Sequence, residues 1–197
     1  MTSKLRSVSV LALTGLFAAH AQGTINFSNA AFDVNAPVFD YDGITPVSGN
    51  AYIAQLFAGP FGTGWDSLTP ITPTATFGTG LTAGYFFGGS VVIPNVPSGS
   101  LAAFQVRVWN SSFATWEAAW TAYLTGDPNP RVGVSEWNGT GFPTTILISP
   151  NLGGDPGGPV TMSGLSSFHL YYYIPEPPVT LLALAGAGVL FLRRRHK

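Results

Sequence analysis

Cysteine is absent from the 197 residues, and basic side chains are few: eight Lys and Arg, against nine Asp and Glu. Without cysteine the chain can form no disulfide, no thiolate metal site and no thiol nucleophile. Six of the eight bases crowd the two ends, as Lys4, Arg6, Arg193, Arg194, Arg195 and Lys197. Residues 22–174 keep only Arg107 and Arg131, against Asp33, Asp40, Asp42, Asp66, Glu117, Asp127, Glu136 and Asp155, a net charge of −6. So acidic a region excludes nucleic acid as an electrostatic partner and disfavours anionic glycans. Histidine is nearly missing too. His169 is the one histidine in that region, and no G-x-S-x-G elbow accompanies it, so a Ser-His-Asp device is not expected. Flanked by Phe168 and Leu170, it reads as a structural residue, and zinc would need several such ligands. No catalytic residue and no obligatory cofactor emerges; the chain reads as a non-enzyme.

Long apolar runs are confined to the termini. Lys4 and Arg6 precede the apolar stretch 8–18, and Ala19-His20-Ala21 follows. A charged start, a short apolar core and small residues Ala19 and Ala21 at the cleavage positions form a secretory signal peptide, 1–21. At the other end Pro175-Glu176-Pro177 is followed by the apolar run 179–192 and by Arg193, Arg194 and Arg195. That run of 14 residues makes about 21 Å of helix, short of the roughly 20 residues of a comfortable span. Bilayer thinning and snorkelling arginines cover the difference. Basic residues beside a transmembrane helix stay cytoplasmic, so the arginines determine topology and everything before Pro175 lies outside.

The order, spacing and terminal position of these last 23 residues resemble the PEP-CTERM sorting signal of exported bacterial proteins. The resemblance implies that Pro175, Glu176 and Pro177 are recognised by an exosortase-type membrane enzyme. It further implies a chain anchored by its C-terminal transmembrane helix, then processed and delivered to the cell surface or the extracellular polysaccharide matrix. The region between is similar to a recurring group of exported PEP-CTERM proteins that share the start Gln-Gly-Thr-Ile-Asn-Phe (22–27) and the segment Phe-Gln-Val-Arg-Val-Trp (104–109).

Residues 22–174 are long enough for one domain. Their richness in Gly, Pro, Thr, Ser and aromatics favours short strands punctuated by turns. Strands are expected at 24–28, 51–57, 90–93, 101–109, 144–148 and 168–174. In 101–109, Phe104, Val106 and Val108 alternate with Gln105, Arg107 and Trp109, the period of a half-buried strand. The expected fold is mainly β, an antiparallel β-sandwich of jelly-roll-like type with one short helix. That helix is expected at 115–124, where Trp116, Ala119, Trp120, Tyr123 and Leu124 share helical spacing before Gly126-Asp127-Pro128. Its aromatics read as core.

Two binding readings stand beside these. Trp65, Trp109 and Trp137 fall in a loop, on the polar face of a strand and in a turn, and are candidates for stacking on sugar rings, making polysaccharide a partner. Asp40-Tyr41-Asp42-Gly43 sets two carboxylates before a glycine, an arrangement calcium can use. Asp-Gly is equally a plain turn former.

Overall fold

The computed structural model describes residues 22–154 and 157–174. The signal peptide with Ala19 and Ala21, the motif Pro175, Glu176 and Pro177, the apolar run and Arg193, Arg194 and Arg195 lie outside the described residues. Among those described, no helix is long and apolar enough to cross a membrane.

Among the described residues the fold is mainly β with one α-helix. In chain order the strands are β1 (Gln22–Ser28), β2 (Ala30–Ala31), β3 (Val34–Asn35), β4 (Val38–Phe39), β5 (Tyr52–Pro60), β6 (Thr69–Pro70), β7 (Phe87–Pro97) and β8 (Ala102–Asn110). Helix α1 (Trp116–Leu124) follows, then β9 (Val132–Val134), β10 (Leu147–Ile148) and β11 (Phe168–His169). The main sheet is built on β5 and β8, antiparallel along their whole length from Tyr52↔Asn110 to Pro60↔Ala102. β6 extends it beyond β5, and β9 and β10 pair with β8 near its two ends. β1 and β7 make a second antiparallel pair, whereas β4 and β11 pair in parallel.

Alternation along the strands decides the packing. Ile25 and Phe27 of β1, Val91 and Ile93 of β7, and Leu56, Phe104, Val106 and Val108 of the main sheet belong to one buried apolar cluster. A second cluster lies on the other face of the main sheet, where Phe57, Trp109 and Val134 meet Trp116 and Ala119 of α1. β8 is therefore buried on both faces, from Ala102 to Trp109. The half-buried strand expected from its alternation is corrected here, because α1 and two loops close over its second face.

Helix α1 occupies the expected segment but begins one residue later, at Trp116. Thr115 caps it, its hydroxyl accepting from the Ala118 N–H at 3.2 Å. It ends in a left-handed Gly126 (φ 86°), with Gly126 N–H bonded to Tyr123 O and Asp127 N–H to Ala122 O, the pairing of a Schellman turn. Two expected strands are shorter than their patterns suggest. Segment 144–148 is ladder-paired only at Leu147–Ile148, since the Pro143 and Thr145 carbonyls accept from the Gln105 side chain. Segment 168–174 changes partner, leaving β4 after His169 and bridging Val132 at Tyr171.

Candidate ligand-binding cleft

The second face of β8 carries Gln105 and Arg107, and around them the chain builds a cleft. Arg107 is only 7% exposed. Its Nε and Nη2 donate to Gln105 Oε1 at 3.1 and 2.9 Å, and Nη2 also donates to the Trp65 carbonyl at 2.7 Å. The guanidinium carbon lies 4.0 Å from the centre of the Phe57 ring and 5.5 Å from Trp116, within cation–π range. Burial pulls its pKa down to about 10, while the charge of Glu117 acts the other way. It stays cationic at neutral pH. Among the described residues no acceptor faces Nη1, and no buried side-chain nitrogen or oxygen is left without a partner. Arg107 also lines this cleft, with Nη1 making no hydrogen bond among the described residues.

Gln105 works in the opposite direction. Its Nε2 donates to Pro143 O at 2.7 Å and to Thr145 O at 2.6 Å. One strand face thereby suspends two loops, one through Arg107 and one through Gln105. The loops meet where the Trp65 ring stacks on Phe142, 5.6 Å between centres at 26°. The third wall is α1. Trp116 and Trp120 stack at 5.4 Å and 14°, and Tyr123 continues the stack at 5.4 Å and 18°, as spacings of four and three residues allow on one helix face.

The cleft is open to solvent on one side and offers about 300 Å³, at the small end of ligand pockets. Phe57, Trp65, Trp116 and Trp120 supply apolar wall, Arg107 a cation, and the exposed Asp66 and Glu117 two carboxylates. Such a set can donate to and accept from hydroxyl groups while apolar surface covers a ring.

Of the three tryptophans expected to stack on sugar, only Trp65 lines this cleft. Trp109 is 1% exposed, its indole N–H bonded to Phe113 O at 3.0 Å and its edge against Trp116. Trp137 is 7% exposed, its N–H on Thr140 O at 3.1 Å and its ring enclosed by Trp120, Tyr123 and Tyr171. Neither offers a ring face to a ligand here, because α1 and the segment around Tyr171 pack over them. The Asp40 and Asp42 carboxylates are engaged by their own turn. Asp42 accepts from the Ile44 and Thr45 N–H groups and the Thr45 hydroxyl, and Asp40 from the Tyr41 N–H and the Tyr52 hydroxyl. Those bonds hold the Asp42 carboxyl below the usual carboxylate range, the Thr45 hydroxyl contributing most. Among the described residues no three His, Asp or Glu gather as a metal site would require. His169 lies with its ring 4.5 Å from Tyr171.

Arg107, Gln105, Trp120, Asp66, Glu117 and Phe142 were not singled out as site residues from the sequence. The available signal was Arg107, a charge among apolar residues in a strand, since buried charges demand partners. Comparison with known proteins finds no matching family model, curated protein or solved structure. The functional reading therefore rests on this geometry and on the terminal sequences.

Proposed function

We propose that this chain is an exported, surface-associated protein that binds carbohydrate in the cleft around Arg107. The observation that carries the binding reading is a buried arginine that lines an open cleft, set between tryptophan side chains and two carboxylates. Hydroxyl groups of a sugar accept from Arg107 and donate to Asp66 and Glu117, and the ring face packs on Trp65. With one cation and two anions at the site, a neutral sugar suits it better than an acidic one. The sheets are read as an antiparallel sandwich of jelly-roll-like type, a reading supported by the apolar cluster shared by the β1–β7 pair and the main sheet.

Retention on a panel of polysaccharides tests the proposal. Trp65→Ala is expected to weaken binding about tenfold, or about 1.4 kcal/mol, with thermal unfolding little changed. Unaltered retention, or none by the parent protein on any polysaccharide, overturns it. A hydrolase is the second reading, since Asp66 and Glu117 share the cleft and glycosidases use two carboxyl groups. Both are exposed, however, whereas an acid catalyst is kept protonated by burial. Binding is therefore preferred, and release of reducing sugar by the purified protein would reverse that preference.

Export and sorting rest on the terminal sequences and their resemblance to PEP-CTERM signals. In this reading an exosortase-type enzyme recognises Pro175, Glu176 and Pro177, the run 179–192 anchors the chain, and Arg193, Arg194 and Arg195 halt its transfer. Glu176→Ala should leave the domain folded and the tail uncleaved in cells. Mass spectrometry of the mature protein from membrane and medium checks this, and normal maturation of the variant would count against the assignment.

A further inference from the structure

We infer that the face of the domain around Tyr41, Ile44 and Tyr173 rests on the lipid bilayer surface while the chain is anchored. The inference rests on the reading of 179–192 as a membrane segment. Ile174, the last described residue, is 67% exposed. Five residue steps separate it from Val179, and a fully extended chain covers at most about 18 Å in that length. A domain of this size is about 40 Å across, so the tether is shorter than the body it holds. The surface from which Ile174 emerges must therefore lie next to the membrane.

That surface has a composition suited to the place. Tyr41 and Tyr172 pack edge to face at 4.9 Å. The Arg131 guanidinium sits over both rings, 4.4 Å from Tyr172 and 5.3 Å from Tyr41. Tyr173 lies against Gly126 at the end of α1, and Ile44, 78% exposed, tops the turn that follows Tyr41. Tyrosine with exposed aliphatic side chains is what membrane–water interfaces select. Asp40 and Asp42 belong to the turn that carries Tyr41 and Ile44, and Asp127 to the turn after α1, so even with Arg131 the local charge is negative and disfavours anionic lipid. Contact is carried by the tyrosines and Ile44, and the tether makes it intramolecular, so weak intrinsic affinity suffices.

The absence of cysteine makes the test direct. Two single-cysteine versions of the full chain, Ile44→Cys and Ser98→Cys, are labelled with bimane and incorporated into phosphatidylcholine vesicles. Ser98 lies in the turn leading into β8 at the Pro60 end of the main sheet. Strand β5 places that end about 26 Å from Tyr52, whose hydroxyl bonds Asp40. Brominated phosphatidylcholine is expected to quench the Ile44 label at least threefold more than the Ser98 label. Adding Tyr41→Ser and Tyr173→Ser should remove the difference while the protein still floats with the vesicles. Equal quenching in a floating protein overturns the docking and leaves the anchor reading standing. Failure to float overturns the anchor reading and this inference with it.

Discussion

Asn29 is completely buried, yet every hydrogen-bonding group of its side chain is used. Nδ2 donates to Ala36 O at 2.7 Å and Gly84 O at 2.9 Å, and Oδ1 accepts from Phe86 N–H at 2.7 Å. One amide thus ties the segment after β1 to a loop more than fifty residues later. Asn29→Ala would strand the Ala36 carbonyl and the Phe86 N–H, each worth about 1–3 kcal/mol when buried and unpaired, while Gly84 O keeps the Val38 N–H at 2.9 Å. A loss of about 3 kcal/mol in urea-unfolding stability is expected, and a loss below one third of that would show water replacing the amide. The tryptophans teach the same lesson at the same scale. Trp65, Trp109 and Trp137 are equivalent as letters, but their local contexts say nothing about which ring another segment will cover. Only Trp65 keeps a place in the cleft, while helix α1 and Tyr171 enclose the other two.

Among the elements, β8 is the informative case. Its period of two was legible in the residues, and the pairing with β5 follows it for nine consecutive positions. What the pattern could not convey is that the Gln105 and Arg107 face is closed over. Polar side chains normally mark a solvent face, but here they hydrogen-bond to the backbones of loops that cover them. Gln105 is thereby a positioning residue for the cleft. Gln105→Ala should free the Pro143 and Thr145 carbonyls, speed amide exchange through 142–148 and loosen the Trp65–Phe142 stack. Polysaccharide retention should fall with it. Unchanged exchange in that segment would mean that the loop is held by its apolar contacts instead. Helix α1 was legible in its extent and in its stop at Gly126, because both depend on neighbouring residues only; the cap at Thr115, expected as the first helical residue, came from the structure.

At the scale of the whole molecule, stability without disulfides depends on two apolar clusters and on the protonation of half-buried tyrosines. Tyr52 is pushed up to about 12, first by burial and then by its hydrogen bond to Asp40. Tyr123 and Tyr171 are raised by burial as well. An unfolded tyrosine ionises near about 10. The folded state therefore holds these protons more tightly, and its stability declines as pH rises from about 10 towards about 12. Urea unfolding at successive alkaline pH values should show that decline, and Tyr52→Phe should flatten it. A parent protein equally stable at both ends of the window would refute the assignment.

The sequence by itself determined what depends on near neighbours. Strand alternation, the helix and its stop, the acidic balance of residues 22–174 and the dependence on an apolar core all follow from residue type and spacing. Tertiary structure alone decided which faces those elements keep. Phe57, Trp65, Arg107, Glu117, Trp120 and Phe142 come from five separate stretches of chain, and they meet because burying the second apolar face of the main sheet draws α1 and two loops across β8. Burial is a long-range property, set by what closes over a surface, and no local pattern of residues encodes it.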